Sequence, residues 1–447
     1  MTRSAPWSRA ARCARKYVAA IAAVVLVTGC GRLPTDATPN RARTASPLTS
    51  AAIDHPTRAI VMLMRSSDPD SVARTFGSHV IDVIPELSLA LLPTPAGMTT
   101  DAFVLRLATD PRVIFSETDA ILETAEGSQS TVAFSEASRS WSDVQDQSAL
   151  TRIGATEAQK FGRGAGALVA ILDTGIDLDH PALAGAIELP GIEPGVVDAA
   201  GDDRPEALDT NGDGIVDGSL GHGTHVAGIV HAVAPDAHLL AVRVLDSHGV
   251  GEAFRVAQGI VAALGRGADV INLSLGLSET SRSIEAAVDL ARASGVVVVA
   301  AAGNRDVNTL DFPAAYPPVL AVAGTDPDDR KAAFSDFGDA VDVAAPAVGI
   351  LSTYWDGTYA RWSGTSMASP FVAGTAALLY GRLGARSPEA ASGIEQLISS
   401  GAVPLAASDP VYGSLLGAGR LSAVGSVARS LDSGEPGDAA RTRERGH

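Results

Sequence analysis

Cysteine is nearly absent from this chain, with only Cys13 and Cys30 among 447 residues. Cys13 lies in a basic N-terminal segment, so removal of that segment would leave no pair able to form an internal disulfide. Positive charge is also scarce, because 34 Lys and Arg residues face 51 Asp and Glu residues, which gives a formal net charge of −17. So strong a negative excess argues against nucleic acid as a partner.

The N-terminus has the pattern of a secretory signal. Five basic residues precede an apolar run at residues 17–27 that is too short to span a bilayer. The run ends in LVTGC at residues 26–30, which resembles a bacterial lipobox, so we expect residues 1–29 to be removed and Cys30 to be lipidated. The alternative is an ordinary signal peptide followed by a chance cysteine. Loss of the five basic residues would take the net charge of the exported form to −22.

The remaining chain divides by composition. Hydrophobic residues make up 46% and charged residues 19%, which is typical of a globular protein with a large core. We predict a flexible tether over residues 30–57, a small domain over 58–124, a polar processing linker over 125–147, a large domain over 148–430 and a disordered tail over 431–447. The cut in the linker is expected somewhere between Glu123 and Gln147.

Periodicity predicts the fold of each domain. In the small domain, strands at residues 59–63, 80–84, 87–92 and 113–115 alternate with helices at 70–76 and 100–108, an α+β ferredoxin-like order. In the large domain, apolar runs at residues 167–172, 239–244, 270–275, 296–301 and 319–322 predict strands covered on both faces. Helical segments at 252–264 and 283–294 complete an α/β fold with a mostly parallel sheet and helices on both faces. Functional residues are expected at the C-terminal ends of its strands.

Four short motifs occur in a fixed order along the large domain. Asp173 opens DTG after an apolar run, His222 lies in GHGTHVAG at residues 221–228, Asn304 ends AAAGN, and Ser366 lies in GTSMASP just before an apolar helix. A serine at a helix start is most often a simple cap. An Asp, a His and a Ser in one chain instead fit nucleophilic catalysis, in which the histidine takes the serine proton.

These four motifs closely resemble the signatures of the subtilisin-like serine peptidases, over about residues 148–428. The resemblance implies a serine endopeptidase with Ser366 as nucleophile, His222 as general base and Asp173 as its orienting partner. It implies that Asn304 and the Ser366 N–H stabilise the oxyanion, and that His225 is structural. The small domain, most clearly DPRVIFSE at residues 110–117, resembles the inhibitory propeptide of that family. An unrelated accessory domain is the alternative.

The resemblance also implies where an extended polypeptide substrate binds. The segments 249–251 and 274–276 match two edges that pair with the substrate, and the residues assigned to this site are Gly249, Gly251, Ser274, Leu275, Gly276, Ala302, Gly303 and Asp311. Asp311 falls at the floor of the first specificity pocket, where it would favour Lys or Arg; a plain surface aspartate is the alternative. Phe312-Pro313 resembles a cis-prolyl turn of the family.

An acidic loop indicates a cation site. Oxygen-bearing residues alternate around a glycine at Asp209, Asn211, Asp213, Ile215 (through its carbonyl) and Asp217, close to an EF-hand pattern. The twelfth position is Leu220 rather than Glu, so a further carboxylate such as Asp202 or Asp203 would be needed. The loop predicts a structural Ca²⁺, with a plain acidic loop as the alternative, and no cofactor is expected for catalysis.

We therefore expect an exported, lipid-anchored, monomeric serine endopeptidase made as a zymogen, acting on extended polypeptides and inhibited by its own propeptide. Two alternatives remain open. One is a surface binding protein that keeps the fold without turnover, and the other is a dedicated maturase for one exported peptide.

Overall fold

The computed structural model describes residues 57–124, 133–136, 138–188, 218–384 and 386–432. The predicted leader, nearly all of the tether and all but two residues of the tail lie outside these ranges. So do Cys30 and the acidic loop at residues 209–217. Within the described ranges, no helix combines the length and the apolar character that a bilayer crossing requires.

The small domain is a four-stranded antiparallel sheet with two helices, in the order that the sequence predicts. Asp68 and Thr99 accept N–H groups at the starts of its two helices, which explains where these helices begin. The elements are β1 (Arg58–Leu63), α1 (Pro69–Thr75), β2 (Asp82–Ile84), β3 (Leu89–Pro93), α2 (Thr100–Leu107) and β4 (Val113–Thr118). The strand order across the sheet is β2-β3-β1-β4.

The rest of the chain begins with elements that the sequence did not predict. A fifth strand ends the small domain at residues 121–124. The described part of the predicted linker contains a strand and a short helix instead of irregular chain. Ser140 and Asp143 form a capping box at the start of that helix. These elements are β5 (Ile121–Thr124), β6 (Phe134–Ser135), α3 (Trp141–Gln145), α4 (Ser148–Ile153) and α5 (Ala155–Gln159).

The large domain is built on a parallel sheet of seven strands among the described residues. Its elements are β7 (Leu168–Asp173), β8 (Ile187–Glu188), α6 (His222–Val233), β9 (His238–Arg243), β10 (Val250–Glu252), α7 (Ala253–Gly265), β11 (Val270–Leu273), β12 (Leu275–Gly276), α8 (Arg282–Ala293), β13 (Val297–Ala301), β14 (Val319–Thr325), β15 (Val343–Pro346), β16 (Ile350–Tyr354), β17 (Thr358–Trp362), α9 (Thr365–Leu383), α10 (Pro388–Gly401) and α11 (Ala423–Asp432). The strand order across the parallel sheet is β15-β14-β13-β11-β7-β9-β8. The prediction of an α/β fold with a mostly parallel sheet is confirmed.

Helices cover both faces of this sheet. On one face α6 and α9 form a core with Val226, Phe371 and Val372, and on the other α7 and α8 form a core with Phe254 and Val288. Residues 365–380 of α9 are all buried, so this helix runs through the interior. Because both faces are buried, the strands carry apolar residues without alternation. For this reason the strands could be predicted from the sequence.

The small domain rests on α7 and α8. Ile60, Leu91 and Phe115, on one face of its sheet, belong to the same buried cluster as residues of those two helices. Its other face closes a separate core around Phe103. This packing places β5, at the end of residues 58–124, beside β10 and β12 of the large domain.

Candidate active site

Asp173 is the last residue of β7, an interior strand of the parallel sheet that lies between β11 and β9. Its side chain is fully buried. Its Oδ1 accepts the Thr174 backbone N–H at 2.8 Å and the His222 Nδ1–H at 2.7 Å. Because a carboxylate can only accept, this contact places the proton of a neutral His222 on Nδ1 and makes Nε2 the basic nitrogen.

His222 is the first residue of α6, directly after Gly221 in the left-handed region at φ 81°. The start of α6 lies very close to the end of β7. A Cβ on Gly223 would lie 2.0 Å from the Gly175 carbonyl oxygen, so only glycine permits this approach. The Trp362 ring lies edge-on to the imidazole at 5.1 Å between centroids, which places His222 beside the entry to α9.

The second histidine of the motif has a different environment. His225 Nε2 lies 3.1 Å from the carbonyl oxygens of Ile350 and Ala360, two residues of the hairpin formed by β16 and β17. Burial lowers the pKa of His225 to about 3. A histidine that stays neutral and bridges two strands suits a structural role.

Ser366 is the second residue of α9, at the N-terminal end, where backbone N–H groups have no acceptor within the helix itself. Its Oγ donates to the Ser274 carbonyl oxygen at 3.3 Å, and Ser274 Oγ donates to the Ser366 carbonyl oxygen at 2.9 Å. These reciprocal bonds join the start of α9 to the segment between β11 and β12. The serine therefore lies at the edge of the substrate-pairing strand predicted from the sequence.

Asn304 follows β13 and is oriented by the residue before the serine. Its Oδ1 accepts both the backbone N–H and the Oγ1–H of Thr365, each at 2.9 Å. Thr365 Oγ1 in turn accepts the Gly303 N–H at 3.2 Å. Because the amide oxygen is bound in this way, the amide Nδ2H₂ points to the other side, where it can stabilise a developing oxyanion. The sequence did not single out Thr365.

The two predicted substrate-pairing edges are bridged by a strand of this same chain. β5 lies between β10 and β12 and pairs antiparallel with both, with Gly251 opposite Leu122 and Gly276 opposite Glu123. Thr124 N–H also donates to the Gly249 carbonyl oxygen at 2.8 Å. In the structure, burial alternates along the four residues of β5. Their sequence, ILET, shows no such alternation of apolar and polar residues, so the strand carried no sequence signal.

The remaining predicted substrate residues form the wall beside the cleft. Ala302 and Gly303 continue from β13, and the Ala302 carbonyl oxygen accepts the Asp311 N–H at 2.9 Å. Asp311 is buried against Gly276 and Gly303 and bonds Arg305, so it is not a plain surface aspartate. The Phe312–Pro313 peptide bond is cis, as the resemblance implied.

Two predicted sites cannot be placed. The lipidation site Cys30 and the acidic loop, with Asp209, Asn211, Asp213, Ile215 and Asp217, lie outside the described residues. In the part of the chain that the structure describes, no group of three or more His, Cys, Asp or Glu side chains could hold a metal ion.

Comparison with known proteins fits this arrangement. The Peptidase_S8 family model, described as the subtilase family, matches residues 164–419. Thermitase of Thermoactinomyces vulgaris is 46% identical over 238 residues, which are 51% of this chain and 80% of that protein. An alkaline protease of Alkalihalobacillus alcalophilus is 38% identical over 314 residues, 67% of this chain and 70% of that protein.

A solved structure extends the similarity to the fold. Fervidolysin from Fervidobacterium pennivorans, described as a keratinolytic enzyme related to subtilisin, has a TM-score of 0.66 and 25% sequence identity. The match covers 83% of this chain and 61% of that one, so this chain spans less than two thirds of fervidolysin. With the family match and the relatives above, the chain belongs to the subtilase family and is a serine-type endopeptidase.

Proposed function

We propose that this chain is the zymogen of an exported endopeptidase, in which β5 occupies the substrate cleft and residues 58–124 are an inhibitory propeptide. The observation that carries the proposal is the antiparallel pairing of β5 with β10 on one side and β12 on the other. An extended substrate would bind by the same strand addition. While β5 is in place, no other polypeptide can pair with those edges.

The catalytic steps follow from the geometry around Ser366. Ser366 Oγ attacks the scissile carbonyl carbon while His222 Nε2 takes its proton, and Asp173 stabilises the imidazolium that forms. Asn304 Nδ2 and the Ser366 backbone N–H then stabilise the tetrahedral oxyanion. The imidazolium returns the proton to the leaving amine. Water hydrolyses the resulting acyl-enzyme by the same steps in reverse order.

The small domain is attached to the large one by carboxylates at two helix starts. Glu117 accepts the backbone N–H groups of Arg282 at 2.8 Å and Ser283 at 3.0 Å, at the start of α8. Asp119 accepts the Phe254 N–H at 3.0 Å, at the start of α7. Negative charge at a helix N-terminus is stabilising. These contacts hold β5 in the cleft and support the propeptide assignment over an unrelated accessory domain.

Export and anchoring are proposed from the sequence of the leader. Lipidation of Cys30 would attach the chain to a membrane through the tether, on the propeptide side of the cut. Self-cleavage would then release the catalytic domain unless the cut propeptide stays bound. Membrane fractionation of wild type and Ser366→Ala tests this, and equal retention of the catalytic domain in both would contradict release by self-cleavage.

A structural Ca²⁺ in the acidic loop at residues 209–217 is also proposed, with Asp202 or Asp203 as an added ligand. Because the loop ends five residues before His222, a bound ion would order the entry to α6. Chelation should lower the melting temperature. The idea fails if chelation changes neither melting temperature nor activity.

The deciding experiment for the catalytic assignment is labelling with a fluorophosphonate serine probe. Wild type should give a labelled, shortened product, while Ser366→Ala should stay full-length and unlabelled. The rival, a binding protein that keeps the fold without turnover, predicts no label in either chain even after the propeptide is removed with an added protease. A dedicated maturase differs only in its substrate range.

A further inference from the structure

Two carboxylates meet beside the cleft, next to Gly303. A Cβ added to Gly276 would lie 3.0 Å from Asp311 Oδ2, and a Cβ added to Gly303 would lie 2.7 Å from the same oxygen. The Cβ added to Gly303 would also lie 2.3 Å from Asp336 Oδ2. Gly276 pairs with the strand in the cleft, and Gly303 precedes Asn304. The two oxygens therefore share one small space between the substrate strand and the oxyanion site.

Asp336 carries an unsatisfied negative oxygen. The residue is fully buried, and its Oδ1 accepts the backbone N–H groups of Arg305 at 2.9 Å and Val307 at 3.0 Å. Its Oδ2 has no hydrogen-bond partner among the described residues. A buried anionic oxygen without a donor is costly, so this atom indicates a site that accepts a cationic donor from outside.

One guanidinium faces both carboxylates. Arg305 Nη2 lies 2.5 Å from Asp311 Oδ1, while Arg305 Nε is 3.6 Å from Asp336 Oδ2, beyond hydrogen-bond distance. The Arg305 side chain is 42% exposed, so it reaches the carboxylates from the solvent side. The cluster has one positive and two negative charges. Burial raises the pKa of Asp311 to about 6. The negative charge of Asp336 adds to this rise, and the positive charge of Arg305 opposes it.

We propose that Asp311 and Asp336 together form the floor of the pocket for the side chain that precedes the scissile bond, and that this floor selects Lys or Arg. Arg305 is the resident cation of this floor. It moves away when the positively charged side chain of a substrate Lys or Arg binds to the two carboxylates. The inference rests on the proposed function and adds to it a substrate class, a second carboxylate and a competing internal cation.

The chain's own strand does not compete for this floor. The residue after Thr124 is Ala125, whose side chain is an uncharged methyl group. In the zymogen the carboxylates therefore keep Arg305 as their partner. A single cleavage within one molecule needs no contact with the floor, because β5 already holds the chain in the cleft. Cleavage of separate substrates has no such help and depends on the floor.

The test uses the matured enzyme and four peptides identical except at the residue before the scissile bond. That residue is Arg, Lys, citrulline or Ala, and citrulline matches Arg in shape without its charge. We expect kcat/KM for the Arg peptide to exceed that for the citrulline peptide by about tenfold or more. Asp336→Asn should lower this ratio by about tenfold, because the amide cannot balance the added cation.

Three controls make the result specific. Asp328→Asn removes an exposed carboxylate of the same domain and should leave the Arg to citrulline ratio unchanged. Arg305→Gln removes the resident cation and should raise kcat/KM for the Arg peptide without raising it for citrulline. Fluorophosphonate labelling of each variant shows that its catalytic centre is folded.

The failures are distinguishable. Equal cleavage of the Arg and citrulline peptides by a labelled enzyme, or a strong preference for Ala that Asp336→Asn leaves unchanged, overturns the cation floor and means that the ion cluster only fills the pocket. The proposed function survives that result. Absence of both labelling and cleavage of any peptide overturns the proposed function and this inference with it.

Discussion

His222 Nδ1 lies 2.7 Å from Asp173 Oδ1, and both side chains are fully buried. The contact joins the first residue of α6 to the last residue of β7, two positions 49 residues apart in the chain. It fixes the orientation of the imidazole and makes Nε2 its basic nitrogen. Neither residue could hold this geometry on a mobile loop.

Asp173→Asn should lower kcat by about 10⁴-fold, because an amide that donates to Nδ1 would stabilise the wrong tautomer; this is the magnitude known for the same substitution in the triad of other serine proteases. The measurement is steady-state kinetics on the matured enzyme, produced if necessary by an added protease. Asp179→Asn, an exposed aspartate in the same loop, is the matched control and should keep wild-type kcat. Equal losses in both variants would contradict the role of Asp173.

Asn304→Ala should lower kcat by about 10²- to 10³-fold with little change in KM, the magnitude known for the matching asparagine of subtilisin itself. Thr365→Val removes the hydroxyl that orients Asn304 and should cost a smaller part of kcat. Thr365→Ser keeps the hydroxyl and should restore most of it. A loss in KM rather than kcat for Thr365→Val would show that Thr365 does not act through Asn304.

The self-cleavage bond should lie one residue beyond the end of the strand in the cleft. Thr124 is opposite Leu275, and the preceding residue of that edge, Ser274, accepts the Ser366 Oγ–H through its carbonyl oxygen. We therefore expect cleavage between Ala125 and Glu126, the first bond after Ala125. Intact mass and N-terminal sequencing of the mature form check this. A mature N-terminus well inside the large domain would refute it.

Glu117→Gln should weaken binding of the cleaved propeptide, because the charged acceptor at the start of α8 is lost. The expected cost is about 1 kcal/mol, or roughly a fivefold rise in the inhibition constant of separately added propeptide. Glu86→Gln, an exposed glutamate of the same domain, is the control. If both variants inhibit as wild type does, the helix-start contact contributes nothing to binding.

Selectivity for basic side chains should depend on pH. Asp311 has a raised pKa of about 6, so in the empty site its carboxyl is protonated below that pH and charged above it. The kcat/KM ratio of Arg to citrulline peptides should therefore rise as pH increases through about 6, and Asp311→Asn should flatten the profile. The same shift means that Asp311 favours the folded state at low pH and that this contribution is lost as pH rises through about 6. Asp311→Asn should accordingly raise the melting temperature more at pH 8 than at pH 4.5.

Much of the fold could be predicted from the sequence because helices cover both faces of the parallel sheet. The strands β7, β9, β11, β13 and β14 are apolar runs, so composition alone located them to within about three residues at either end. The order of strands and helices in the small domain could be predicted for a similar reason, since both faces of its sheet are also buried. The second strand of that domain was predicted to begin at residue 80 but begins at Asp82, and a 3₁₀ turn at Pro85–Leu87 shortens the third.

The shortest strands could not be predicted from the sequence. β5 has four residues and β12 has two, and each is a strand only because the other edge is present. The pairing partners are about 150 residues apart, so no local pattern contains this information. Asp336 and Thr365 were missed for the same reason, since nothing near them in the chain marks a buried carboxylate aimed at Gly303 or a hydroxyl that holds Asn304.

The sequence by itself determined the class of chemistry, because four motifs in order bring an Asp, a His, an Asn and a Ser to strand ends and helix starts, where physical rules already place active residues. Only the tertiary structure decided what lies in the cleft and what faces Asp311. Strand pairing and charge balance are set by chain segments that meet after folding. The binding of β5 between β10 and β12, and the sharing of Arg305 by Asp311 and Asp336, are relationships of that kind.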